Sequence, residues 1–327
     1  MAALPYTFAG LGTWRGESGT VKLSHLRDVL AVAEHGSLRA AGRRIGVAQP
    51  AITRSIREVE QELGATLFER HARGVRLTEI GTAFVRRASA VQSELRRARE
   101  EVEQLKGRNT GEISVSLSTA SSLSLMPSAV KAFRKRFPDA VLKISESFFQ
   151  AIEPEILSGA VDFYVGPIDV AAVSQQFAVE KLFDNRRLVL ARKDHPLAGA
   201  RQLSDLTEAE WVRPLLSGSN TDVDFDLLFK EQGHAPPRVA LQARSAMVTL
   251  LVVLSSDLLT ILPEQWLDFP LLSNLVAPLP LEKPLPGVAI CIVRRRDMPL
   301  TPLAEVFCDL MRRAALNYVH RRDAERG

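Results

Sequence analysis

Cysteine is scarce in this chain. Cys291 and Cys308 are the only two in 327 residues, too few for a disulfide framework or a zinc site. They read as buried thiols, because no basic or metal-like residues bracket both positions. Long apolar runs are missing too: no stretch reaches the roughly 18 residues that a membrane helix needs. The N-terminus lacks the basic region, apolar core and cleavage site of a secretion signal. The expected setting is therefore reducing and cytoplasmic. Six histidines, among them His25, His35 and His71, show no metal-ligand spacing. Nucleophile elbow, phosphate loop, zincin helix and dinucleotide fingerprint are all absent from the sequence. No metal, cofactor or catalytic residue is expected, and the chain is not expected to be an enzyme.

What is present is ordinary in amount and uneven in place. Hydrophobic residues make up 46% and charged residues 24%, the balance of a folded globular protein. The length allows two or three domains. The net charge is +4. Residues 22–78 hold ten Lys/Arg and six Asp/Glu, so they carry the whole excess and the remainder is 32 against 32. A basic module on a neutral partner domain is the distribution expected of a phosphate binder.

Within that module, Leu38–Glu60 (LRAAGRRIGVAQPAITRSIREVE) reads as two helices joined by a tight turn. Ser37 is a good N-cap for the first, and Gly46 supplies a sharp exit. The second starts near Ala48 with Pro50 in its first turn, where a missing N–H costs nothing. Ile52, Ile56, Val59 and Leu63 recur at four, three and four, one buried stripe. The opposite face carries Gln49, Thr53, Arg54 and Arg57, side chains suited to base edges and phosphates. Spacing alone would also fit a solvated basic face. The surroundings favour a reader. Leu23, Leu26, Val29, Leu30 and Ala33 form a preceding helix, and Thr66–Glu69 and Val75–Leu77 read as strands around Ala72-Arg73-Gly74. Three helices and a wing with Arg70, Arg73 and Arg76 make a winged helix-turn-helix, its second hairpin helix destined for the major groove.

Residues 23–81 closely resemble the DNA-binding domain of LysR-type transcriptional regulators. The matching pieces run in order: L-x-x-L, G-S-L-x-x-A, A-Q-P-A-I-T-R-x-I, VEQELGATLFER and L-T-x-x-G. With the residue chemistry, the resemblance implies that Ser37, Gln49, Pro50, Ala51, Thr53, Arg54 and Arg57 read or line the major groove, with Arg73 at the minor groove or backbone. One departure is Gly42, where the family commonly has a helix former. A mid-helix glycine should weaken that helix by roughly 1 kcal/mol.

Residues 1–21 have no periodicity and are expected as a disordered tail. After Thr78 a helix is expected to about Lys106. Phe84, Ala88, Val91, Leu95, Ala98, Val102 and Leu105 form an unbroken heptad seam, the pattern of a two-helix coiled coil. A symmetric dimer would place two readers on a palindrome. Gly107–Gly111 reads as a hinge. Beyond it strands and helices alternate: a strand over Ile113–Leu117, one helix carrying Leu123 to Phe137, a strand over Ala140–Ser145, a helix ending at Gly159 and a strand over Val161–Val165. That order argues a parallel sheet. The texture repeats to a last helix over Leu303–Tyr318.

The fold class expected is thus α/β with an α-rich winged helix-turn-helix in front. The domains expected are 22–78 as reader, 79–107 as dimerisation helix and 108–327 as effector domain. The resemblance implies a two-lobed, periplasmic-binding-protein-like domain, with lobe I about 112–184 and 284–318 and lobe II about 185–283. Ligands of open α/β sheets sit at strand carboxyl ends near helix N-termini. Ser118, Thr119 and Ser121 follow the first strand and are expected to hold an anion, above all a carboxylate. The same serines also suit a plain helix cap. Ser217 and Asn220 would face them from lobe II, and Phe148 would add an apolar wall, one of Phe148 and Phe149 going to the core. At Leu254–Leu258 the family's Gly-x-Gly is replaced by bulkier residues, so effector class does not carry over.

The function expected is a DNA-binding transcriptional regulator, working as homodimer or homotetramer on double-stranded promoter DNA and answering to a small organic acid. RNA polymerase is a further candidate partner. The competing readings are a small-molecule receptor, or an enzyme using the crevice, whose basic hairpin docks a partner.

Overall fold

The computed structural model describes residues 21–72, 74–108, 110–214, 221–231, 233–269, 272, 274–283 and 285–326. The chain divides into two units, residues 1–95 and 96–327. In the first, α1 (Leu23–His35), α2 (Leu38–Ile45) and α3 (Gln49–Leu63) precede a hairpin of β1 (Phe68–His71) and β2 (Gly74–Leu77). Ser37 caps α2 by accepting from the Ala40 N–H, and Gly46 ends it at φ 69. The expected stripe closes the core: Ile52, Ile56 and Val59 pack with Val29, Val32, Ala41, Leu67 and Phe68. Glu60 turns inward from α3 and accepts the backbone N–H groups of Leu67 (2.7 Å) and Phe68 (3.2 Å). That carboxylate fixes where β1 begins. Thr78 caps the next helix, α4 (Glu79–Leu105), accepting from the Gly81 N–H at 2.8 Å.

In the second unit, β3 (Glu112–Leu117), α5 (Thr119–Ser124), α6 (Met126–Arg136), β4 (Val141–Glu146), α7 (Phe149–Ser158), β5 (Phe163–Pro167) and β6 (Phe177–Phe183) come first. The chain continues through β7 (Arg186–Arg192), β8 (Glu210–Pro214), α8 (Thr221–Lys230), β9 (Arg238–Ala243), α9 (Ala246–Ser255) and β10 (Thr260–Pro263). It finishes with β11 (Val276–Pro278), β12 (Leu285–Pro286), β13 (Ile290–Arg295) and α10 (Pro302–Arg326). One sheet runs β4-β3-β5-β13-β6, with β4, β3 and β5 parallel as expected and β13 antiparallel to its neighbours. Its faces are covered by α6 and α10 on one side and α7 on the other. The second sheet centres on β7, flanked by β10, β11 and β12. The parallel pair β8-β9 joins it through the bridge of Trp211 to Leu259.

Three differences from the sequence reading have local causes. The helix expected to run unbroken to Phe137 is interrupted at Leu125, and α6 restarts with Pro127 in its first turn. Proline has no N–H to return to Leu123, so the ladder must break there. Strand β6 was not expected; it lies at the sheet edge with mixed burial, so it lacks clean alternation. Helix α10 outruns Tyr318 because Arg322 pairs with Asp268 at 3.0 Å and stacks on the Tyr318 ring. Helix α5 also links the lobes: its Leu123 packs against the cluster of Leu250, Val253, Leu262 and Trp266.

The last turns of α4 are fastened within the second unit. Arg97 meets Asp162 at 2.8 Å, their side chains 6% and 3% exposed. The same guanidinium donates to the Gly159 carbonyl at 3.3 Å, and the other Asp162 oxygen accepts from the Ser114 N–H at 2.7 Å. Burial pushes the Asp162 carboxyl up, and Arg97 pulls it back. Removing one member of such a pair leaves an uncompensated buried charge, at a cost of about 3–5 kcal/mol. Without Arg97 the carboxyl rises further, so the variant's stability deficit grows as pH rises from the already raised folded-state pKa of Asp162 in the native protein toward the higher one in the variant. Urea unfolding of Arg97→Met should therefore show a deficit of about 3–5 kcal/mol near pH 7 that shrinks near pH 5. A deficit that is larger at the acid pH would contradict this account of the pair.

Candidate nucleic-acid interface and effector crevice

The reader is built from a rigid inner face and an unencumbered outer one. Gln49, Pro50, Ala51, Arg54 and Arg57 are exposed on α3, and Thr53 is half-buried. The Thr53 hydroxyl donates back to the Gln49 carbonyl at 3.0 Å, which leaves its lone pairs and methyl outward. Among the described residues no acid pairs with Arg54, Arg57 or Arg70. Unpaired guanidiniums on a helix anchored by its other face are what phosphates and guanine edges need. Ser37 sits apart from that face in role: its hydroxyl is occupied by the α2 cap. Arg73 lies outside the described residues.

Gly42 proves structural. A Cβ there would stand 2.5 Å from the Val47 carbonyl oxygen and 3.4 Å from Ile52 Cδ1. The chain leaving α2 folds back over Gly42, and the Val47 N–H donates to the Gly42 carbonyl. The expected loss of helix propensity is thus the condition for the tight turn that sets α3 against α2. No sequence signal near Gly42 announces the return of Val47.

In the crevice, the three candidate hydroxyls separate. Ser118 and Ser121 are buried, and their hydroxyls lie 3.1 Å apart while Ser118 caps α5. Thr119 is the one left accessible, and its hydroxyl donates to Glu146 at 2.6 Å. Glu146 ends β4 opposite Leu117, the end of β3, so adjacent parallel strands deliver the pair to one rim. The sequence reading had no place for Glu146, since only the register of β3 on β4 shows its neighbour. Phe148 is half-buried at the head of α7, and Phe149 goes to the core against Tyr164 and Phe177. Ser217 and Asn220 lie outside the described residues.

Redox chemistry finds no support at the thiols. Both cysteines are buried, and burial pushes Cys291 up to about 11 and Cys308 up to about 12, far from the thiolate form at neutral pH. Among the described residues no group of three His, Cys, Asp or Glu could hold a metal ion, and no helix is long and apolar enough to cross a membrane.

Comparison with known proteins agrees with this division of labour. The family model for the bacterial regulatory helix-turn-helix protein, lysR family, matches residues 23–82. That for the LysR substrate binding domain matches residues 106–316. The HTH-type transcriptional regulator TdcA of Escherichia coli (strain K12) is 26% identical over 290 residues, spanning 88% of this chain and 92% of TdcA. Full-length OxyR of Pseudomonas aeruginosa has a similar fold, with TM-score 0.68 at 21% identity over 90% of this chain and 96% of that one. So does full-length CbnR, solved with its target DNA, at TM-score 0.63 and 21% identity over 90% and 99%.

Proposed function

The chain belongs to the LysR family of transcriptional regulators, and we propose on that premise which residues read DNA and what the crevice senses. It is a LysR-type regulator with a helix-turn-helix DNA-binding domain and an effector-binding domain, and not an enzyme. Regulators of this family bind promoter DNA and small-molecule effectors and form oligomers. In our reading residues 22–78 are the reader, 79–107 the dimerisation helix and 108–327 the effector domain. Gln49, Pro50, Ala51, Thr53 and Arg54 line the major groove, Arg57 meets the backbone, and Arg73 serves the wing. The observation that carries this is the exposed face of α3, on which Arg54 and Arg57 have no acidic partner among the described residues. RNA polymerase at the promoter and a cytoplasmic setting, where a bacterial promoter lies, belong to the same reading.

Self-association is supported by apolar surface that stays exposed among the described residues. Val91, Val102 and Leu105 of the α4 seam are 48%, 50% and 76% exposed. Met247, Val248 and Leu251 on α9, and separately Val141 and Ile144 on the edge strand β4, are also exposed, and such surfaces would join dimers into a tetramer.

For the effector, the Thr119–Glu146 pair presents acceptors. A bare carboxylate there would meet Glu146, whereas an organic acid carrying a hydroxyl or amino group offers it a donor. Bound between the lobes, such a ligand shifts the readers only by preferring one lobe arrangement.

Fluorescence anisotropy on the duplex upstream of the gene and on a scrambled duplex tests the reader. Arg54→Ala should cost about 1–3 kcal/mol on the promoter alone; equal loss on both duplexes would make Arg54 a phosphate contact. Val91→Glu should lower the oligomer mass in sedimentation equilibrium and weaken palindrome binding, and an unchanged mass would take the seam out of the interface. Lactate and propionate differ by one hydroxyl. Lactate should raise the melting temperature more than propionate, and the reverse order would return the site to simple carboxylates.

A further inference from the structure

Between α3 and the wing lies a small open hollow of about 90 Å³. Its floor is apolar, made by Ile56, Phe68 and Val75, and Arg57 and Arg70 stand at its rim. The wing register explains why Arg70 is there. Residues two apart on a strand share a face, so Arg70 lies on the side of Phe68, which is buried against the reader core. Arg76 lies instead across from Glu69, on the other side. Arg57 comes to the same hollow one helical turn after Thr53. The Glu60 carboxylate in the wall has one oxygen committed to the Leu67 and Phe68 N–H groups, so it anchors β1. Neither arginine has an acidic partner among the described residues.

Resting on the DNA-binding reading above, we propose that Arg57 and Arg70 form a clamp for a single phosphodiester of the bound duplex, seated over this hollow. Two guanidiniums lining one recess, neither ion-paired among the described residues and beside a Glu60 carboxylate that already accepts two backbone N–H groups, match one doubly contacted phosphate, for which arginine's forked donors are suited. The apolar floor meets the deoxyribose beside it. The contact carries no base information; it sets how far the reading helix stands from the wing strand along the backbone.

The test is the salt dependence of binding, by anisotropy, for the native protein and for Arg57→Gln, Arg70→Gln and the double variant, on promoter and scrambled duplexes. One neutralised phosphate contributes about 0.9 to the slope of log K against log salt. The double variant should lose about 0.9 of slope on both duplexes, and each single variant less, because the remaining arginine still holds the phosphate. Lysine at both positions should keep most of the slope, which separates lost charge from lost folding. A loss near twice 0.9 in the double variant would mean two separate phosphates and overturn the clamp. So would an unchanged slope in a double variant of a protein that binds well, or a change of preference between duplexes. Native protein that binds neither duplex would remove the DNA reading and the clamp with it.

Discussion

One buried ion pair governs how the second unit holds the helix that leaves the reader. Arg97, from the last turns of α4, is tied to Asp162 and to the Gly159 carbonyl, and Asp162 in turn to the first strand of the sheet. Such a pair contributes little net energy against a well-packed apolar alternative, yet it tolerates the loss of neither partner. Its worth is therefore directional. A guanidinium with fixed donors can satisfy that carboxylate and that carbonyl in one orientation only, so α4 has one seat.

The reader was legible because its determinants are local. Ser37, Gly46, Pro50 and the stripe from Ile52 to Val59 lie within one hairpin, and caps and periodicity act over a few residues. Where local signals misled, the deciding contact came from elsewhere in the chain. Gly42 looked like a weak spot because the carbonyl that occupies its empty side belongs to the next turn. Thr119 was visible as a polar loop residue, but its partner Glu146 is 27 residues on and depends on strand register. Arg97 reads as one more charge on an amphipathic helix until β5 brings Asp162 beneath it. The helix break at Leu125 was legible in principle, since Pro127 is in plain view; the apolar spacing across it masked the signal.

The two candidate sites use opposite electrostatics. The reader leaves Arg54, Arg57 and Arg70 without an acidic partner among the described residues, where a polyanion would gain from each and salt would weaken the whole. The crevice rim joins its polar groups to one another: two serines face inward as a cap, and a threonine is bonded to a carboxylate. If a ligand binds there as proposed, discrimination would fall to a few acceptors, whose unmet bonds penalise the wrong ligand more than correct bonds reward the right one.

Leu123 gives α5 a second allegiance. Its side chain packs against the apolar cluster of the other lobe, while Thr119, at the head of the same helix, is bonded to Glu146 at the proposed effector site. Four residues of helix rise about 6 Å. What a small molecule would touch and what the far lobe grips are thus two ends of a single rigid peg. Motion at one end is motion at the other, with no chain of intervening side chains to dissipate it.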